Sequence, residues 1–423
     1  MKYESPFSWR YGSDEMRTIF SEENKYRLWR KIWVELARAQ HKAGLVAKEE
    51  LEDLEKHQEN LDIARIWEIE KDTSHDVVAA IKEFAEKAKI GGGKIHLGAT
   101  SMDISDNAET IRMQEALNII GNKLTVLIKS FGEKIEKYAE YVCMGYTHLQ
   151  PAEPTTLGYR FAFYAQDLLM DLELLQFVKK NLKSKGLKGA VGTSASLNPQ
   201  FNQNVMDELG LEDVEITSQT APRKIEFWLG SLFASIGEWQ EPFGKSQVGS
   251  SAMPFKKNPI KAEQICSLAR LVVSLSRVLW DNASHMLLER TLDDSANRRV
   301  VIPEMFLAMD EMLTSATKII DGLIINERKV HKNLETYWPF SATENIILEA
   351  VKKGADRQKM HEVLREISLK AWEGNSMEDL LESNPQILKY LQPAEIDKLL
   401  DAKNHIGNAS KKALELAGRI KKI

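Results

Sequence analysis

The run Gly249-Ser250-Ser251-Ala252-Met253-Pro254-Phe255-Lys256-Lys257-Asn258-Pro259 places hydroxyls, ammonium groups and a carboxamide within a few residues of one another. Gly249 and the paired serines give backbone that can bend sharply and turn N–H groups toward a ligand. Pro254 and Pro259 stop a helix from running through, and Pro259 suits the first turn of the next one. Such a loop can close over an anion. It can equally be an ordinary connector, and composition alone does not choose.

Four other runs carry chemistry. Tyr146-Thr147-His148-Leu149-Gln150-Pro151-Ala152-Glu153-Pro154-Thr155-Thr156 presents His148, a residue type that can protonate a leaving group or can cap a helix. Thr73-Ser74-His75-Asp76 adds a second histidine beside a carboxylate. In Leu97-Gly98-Ala99-Thr100-Ser101-Met102-Asp103 the two hydroxyls open a long helix, where they suit both an oxyanion at its N-terminal dipole and simple capping. Glu289-Arg290-Thr291-Leu292-Asp293-Asp294-Ser295-Ala296-Asn297-Arg298-Arg299 concentrates guanidinium groups, the natural bidentate donors to phosphate, in a pattern that otherwise makes a solvated salt-bridge face. The triplet Gly91-Gly92-Gly93 before Lys94 lacks the spacing of a phosphate loop and reads as a linker.

The order Ser-Ser-x-Met-Pro-x-Lys-x-Asn resembles the signature loop of the fumarase/aspartase superfamily, whose members eliminate fumarate from succinyl-bearing substrates. The His148 run resembles the second conserved block of that superfamily and Leu97–Asp103 the first. Arg10-Tyr11 in Ser8-Trp9-Arg10-Tyr11, together with the Glu289–Arg299 run, narrows the resemblance to the adenylosuccinate lyase family. Elimination needs a base for the proton beside a carboxylate, a cation for the charge that builds there, and an acid for the departing nitrogen.

The resemblance assigns these parts. Ser250 is the base, supported by Lys256 and Asn258 with Met253 in the same loop, and His148 is the acid, paired with Glu263. His75 and Asp76 lie near the phosphate and succinyl groups, and Thr100, Ser101 and Thr147 belong to the conserved blocks. Gln219 meets the substrate amide, and Arg10, Tyr11, Arg290, Ser295 and Arg299 hold the nucleotide. The implied substrates are adenylosuccinate and the succinyl-carboxamide ribotide SAICAR, acted on by a homotetramer whose sites are shared between subunits. Two departures stand out. Ser74 occupies a position where many relatives carry arginine, leaving one phosphate contact in question. Only 31 positions separate Gln219 from Ser250, several helical turns fewer than the resemblance implies, either a true deletion or an absent piece of helix.

These parts need long elements to hold them. Tyr26, Leu28, Trp29, Ile32, Trp33, Leu36 and Ala37 recur at helical spacing within 22–43, shorter helices follow at 50–56, 63–70 and 76–89, and Val77, Val78, Ile81 and Phe84 share one side of the last. Long periodic segments cover 107–141, 156–183, 259–284 and 300–326. About thirty helical residues span roughly 45 Å, which favours an elongated bundle packed against other subunits. The expected fold is all-α and three-domain, with a helical domain at 1–106, a central long-helix bundle at 107–336 that builds a tetrameric core, and small helices at 337–423 bounded by Pro385 and Pro393.

A net charge of −5 across 423 residues argues against a nucleic-acid-coating surface, so an anionic substrate must be held by local arginine and lysine. Cys143 and Cys266 form neither CxxC nor zinc spacing, the N-terminus lacks an apolar signal core, and Arg270 and Arg277 interrupt the most apolar run. A cytoplasmic protein without membrane partners is expected. No HExxH, cysteine cluster or dinucleotide fingerprint occurs, so neither metal nor organic cofactor is expected.

Overall fold

The computed structural model describes residues 3–148, 150–235, 259–285 and 289–423. Ser250, Met253, Lys256 and Asn258 lie outside the described residues. The helices run α1 (Asp14–Ile19), α2 (Glu22–Lys42), α3 (Lys48–His57), α4 (Ile63–Thr73), α5 (Asp76–Lys87), α6 (Ser101–Lys137), α7 (Leu157–Asn181), α8 (Pro199–Leu209) and α9 (Lys224–Ser235). They continue as α10 (Ile260–Ser284), α11 (Ser295–Gly322), α12 (Glu327–Ser341), α13 (Thr343–Lys352), α14 (Arg357–Trp372), α15 (Met377–Glu382), α16 (Pro385–Leu388), α17 (Pro393–Leu399) and α18 (Ala409–Ile420). Two strands, β1 (Val142–Thr147) and β2 (Gln150–Thr156), separate α6 from α7. The four long periodic segments thus fall on α6, α7, α10 and α11. The chain divides into two compact units, Met1–Leu124 with Met170–Ile319 and Thr125–Leu169 with Ile320–Ile423.

The first unit is organised on α2. The Ser21 hydroxyl accepts from the Asn24 N–H at its start, Glu22 and Glu23 fill the first turn, and His41 and Lys42 the last, each matched to the helix dipole. All seven of the expected apolar residues are buried, and Trp29 and Trp33 sit in one core with Ile66 of α4, Phe84 of α5, Ile104 of α6 and Phe201 of α8. Burying one such side chain is worth about 1.5–3 kcal/mol. On α5, Val77 and Phe84 are buried whereas Val78 is exposed, because adjacent helical residues are a quarter-turn apart and cannot share the centre of one stripe.

Buried charges in this unit are paired. Arg30 meets Glu83 and donates to the carbonyls of His57 at 2.8 Å and Gln58 at 3.1 Å. Asp103 meets the buried Lys185 and accepts N–H bonds from Thr100 at 2.9 Å and Lys188 at 3.0 Å, tying the start of α6 to the 185–189 loop. The described part of α9 packs on the C-terminal half of α10, where Trp280 Nε1–H donates to the Phe227 carbonyl and Asn282 to the Glu226 carboxylate.

The second unit contains the hairpin. The stretch between the helices expected at 107–141 and 156–183 is an antiparallel pair in which Val142 faces Thr156 and Thr147 faces Gln150, with an irregularity between Met144 and Tyr146. Gly145 sits there because a Cβ would lie 2.6 Å from the Glu153 carbonyl oxygen. Arg160 donates to the Met144 carbonyl at 2.8 Å, and α12 packs on both strands. The small C-terminal helices bury Ile346, Met360, Leu364, Ile367, Leu381, Ile387 and Ile396 together. Pro385 and Pro393 open α16 and α17 as expected, each at a position whose N–H has no helical partner. Among the described residues no helix is long and apolar enough to cross a membrane.

Candidate active site

The first unit holds a cavity of about 520 Å³ that gathers eight of the residues singled out from sequence: Ser74, His75, Asp76, Ser101, Gln219, Arg290, Ser295 and Arg299. They come from four stretches far apart in the chain, and three of those stretches are helix beginnings. His75 is the N-cap of α5, accepting the Val78 N–H on Nδ1 at 3.5 Å, and Asp76 is its first residue. Ser101 opens α6, and Ser295 opens α11. Each helix start carries the positive end of a dipole, so their convergence suits an anion.

Ser74 holds a left-handed backbone with φ of 50° at the end of α4. That conformation is uncommon for a residue with a Cβ, and it turns the chain from α4 into the cap of α5. Asp76 pairs with Arg299 of α11 at 2.7 Å. Burial alone would raise the Asp76 carboxyl, but the Arg299 guanidinium, the Val77 N–H and the nearby Lys25 charge hold it below the ordinary carboxylate range.

Arg290 is the least satisfied cation of the group. Its Nη1 donates to Gln219 Oε1 at 3.3 Å, and its buried Nε has no partner among the described residues. Burial pushes its pKa down; Asp294 and Asp106 counter that, and Arg223 and Arg298 add to it. A half-buried guanidinium with donors to spare is suited to an incoming anion.

Other expected residues lie elsewhere. Thr100 precedes Ser101 with its N–H bonded to Asp103, outside the cavity lining. Arg10 is exposed beside the rings of Trp9 and Tyr11, in a segment held to α11 where the Ser13 N–H donates to Asp310 at 2.6 Å. Glu263 is exposed in the first turn of α10. In the second unit, Thr147 ends β1 and His148 occupies the hairpin turn, exposed and with φ of 50°. The left-handed backbone of His148 suits the tight turn between the paired Thr147 and Gln150.

The cavity also takes in residues that sequence reading passed over: Phe20, Lys25 and Trp29 from the N-terminal helices, Asp106 and Arg112 from α6, and Arg298 from α11. The signal was present in part. Asp103, Asp106, Asn107 and Thr110 are buried polar positions on the face of α6 that packs inward, an anomaly in an otherwise apolar stripe.

Residues 9–227 match the family model described as lyase, and residues 339–413 match the adenylosuccinate lyase C-terminus. Adenylosuccinate lyase of Saccharomyces cerevisiae is 37% identical over 445 aligned positions, covering 96% of this chain and 92% of the relative. The enzyme of Methanocaldococcus jannaschii is 37% identical over 431, covering 96% and 93%. Among solved structures, 3-carboxy-cis,cis-muconate lactonizing enzyme from Pseudomonas putida superposes with a TM-score of 0.87 at 22% identity, over 98% of this chain and 99% of its own. Fumarate lyase from Mesorhizobium sp. BNC1 gives 0.85 at 20%, over 99% and 100%. The structural matches establish a mostly helical fumarase/aspartase-like fold, and with matches of this identity and coverage the chain belongs to the adenylosuccinate lyase family.

Proposed function

We propose that this protein cleaves adenylosuccinate to AMP and fumarate, and SAICAR to its carboxamide and fumarate, by β-elimination. The observation that carries the reading is the cavity at which α5, α6 and α11 begin together, furnished with Arg290, Arg299 and Gln219, on a chain of this family. In this reading Ser250 removes the proton beside the succinyl carboxylate, and Lys256 and Asn258 stabilise the aci-carboxylate. The C–N electron pair leaves with nitrogen, which takes a proton from His148, whose imidazolium Glu263 supports. Arg10, Tyr11, Arg290, Ser295 and Arg299 hold the nucleotide phosphate and its surroundings. The protein acts in the cytoplasm as a homotetramer that assembles each site from several subunits, a reading supported by the family and by the exposed position of His148 on its hairpin.

One observation favours a second reading, an inactive homologue: the interval from Gln219 to Ser250 is short. The ultraviolet change on mixing purified protein with adenylosuccinate, with AMP and fumarate identified by chromatography, separates the two. Cleavage is expected, lost in Ser250→Ala and in His148→Ala, each of which still assembles and binds AMP. Mixing the two inactive variants should restore part of the activity if sites are shared. Substantial turnover in either single variant removes that residue from its role, and no turnover in the unmodified tetramer supports the inactive homologue.

A further inference from the structure

Asp106 lies in the second turn of α6, is 3% exposed, and has no part in the elimination chemistry. Its Oδ2 accepts the Ala221 N–H at 2.9 Å, and its Oδ1 accepts from Arg223 Nη1 at 3.1 Å with Arg298 Nη1 at 3.6 Å. Arg223 continues through Nε to Asp294 at 2.9 Å, the residue before the start of α11, and Arg298 donates through Nε to Glu226 at 2.6 Å. Two segments remote in sequence therefore close on one carboxylate of α6. A buried carboxylate is tolerated only with such a full set of partners.

Bonds around Asp106 lead to Gln219 and Arg290. Ala221 is two residues from Gln219, whose N–H donates to the Glu289 carbonyl at 3.2 Å and whose Oε1 accepts from Arg290 at 3.3 Å. Other residues of the cavity are held by bonds that do not involve Asp106: Asp76 by Arg299, the start of α6 by Asp103, and the Ser101 carbonyl by the Ser105 hydroxyl at 3.0 Å.

We infer that Asp106 is a positioning residue that sets Gln219 and Arg290 for the nucleotide part of the substrate while leaving the side that receives the succinyl group to other contacts. The inference rests on the reading of Gln219 and Arg290 given above. It makes the effect of losing Asp106 one-sided, which general damage to the fold is not.

The test is product inhibition of the full-length enzyme by AMP and, separately, by fumarate. Asp106→Asn, which keeps the shape and removes the charge, should weaken AMP inhibition about tenfold or more, the scale of one or two charge-assisted hydrogen bonds. Fumarate inhibition should stay within about twofold. Equal weakening of both, or of neither, overturns the inference. Arg290→Gln is measured alongside. If it weakens AMP and Asp106→Asn does not, the positioning role is refuted and the site stands; if neither weakens AMP, the assignment of Arg290 fails and the positioning role fails with it. Should Asp106→Asn not fold, Arg223→Lys keeps the charge beside Asp106 but cannot span to Asp294. It should give the same one-sided loss on a smaller scale, and a balanced loss in that variant is equally decisive against the role.

Discussion

Arg290→Met is expected to separate binding from stability by moving them in opposite directions. In the folded protein this guanidinium has one bond, to Gln219 at 3.3 Å, and a buried Nε without a partner among the described residues. Its pKa is lowered, first by burial, so the folded state disfavours the cation relative to the unfolded chain. Removing a poorly satisfied buried charge with an apolar side chain of similar length should leave the unfolding midpoint unchanged or slightly higher, by up to about 1–2 kcal/mol. A substrate phosphate held by two charge-assisted hydrogen bonds loses both, at about 1.5–3 kcal/mol each. The loss of roughly 3–6 kcal/mol corresponds to a fall in kcat/KM of about 10² to 10⁴. The assays are steady-state cleavage of adenylosuccinate and thermal unfolding followed by circular dichroism without ligand. A variant that unfolds several degrees earlier and retains near-normal kcat/KM would show Arg290 to be a structural strut, and the phosphate reasoning would be wrong.

Two further outcomes concern the first unit alone. Glu83→Gln strands the buried Arg30 guanidinium, so stability should fall by about 3–5 kcal/mol in urea unfolding while kcat is unchanged at temperatures where the variant is folded; a loss under about 1 kcal/mol refutes the pairing argument. His96 accepts the Trp33 Nε1–H on Nδ1 at 3.0 Å, and burial, with a smaller push from His75, lowers its pKa from 6.5 to about 4. The unfolded chain therefore takes up this proton first, and the stability present above pH 6.5 declines between 6.5 and about 4, by about 3 kcal/mol in all. His96→Asn keeps an acceptor and tolerates the local φ of 65°, so it should flatten that decline, and an unchanged pH slope would exclude His96 as its source.

The spacing of apolar residues was enough to locate α2, α6, α7, α10 and α11, because each buries a continuous stripe that leaves a helical period in the sequence. The hairpin left no such trace. Pro151 and Pro154 lie within β2, and proline is usually evidence against a strand; it is accommodated here because a two-stranded sheet leaves each strand an open edge. Site residues were legible where they sit in compact runs of unusual order. Asp106 and Arg298 were not singled out, since their importance lies in bonds to partners more than seventy residues away, a relation that no local pattern encodes.

The short interval before the signature loop bears on whether Ser250 can reach its place, and the α9–α10 pair limits how far it matters. Bonds from Asn282 to Glu226 and from Trp280 to Phe227 fix the two helices side by side and antiparallel. At that register Ser235 falls near Val272, about 18 Å along α10 from its start. An extended chain crosses that distance in about six residues, and residues 236–259 provide several times as many. Pro259 is the N-cap of α10, so Lys256 and Asn258 are tied by only a few bonds to a helix start whose position does not depend on the length of α9. The short interval therefore still leaves chain enough to join the catalytic run to its anchor. It predicts an enzyme that turns over despite the short interval. If cleavage proves absent while urea unfolding shows α10 as stable as the rest of the first unit, the anchoring argument is wrong.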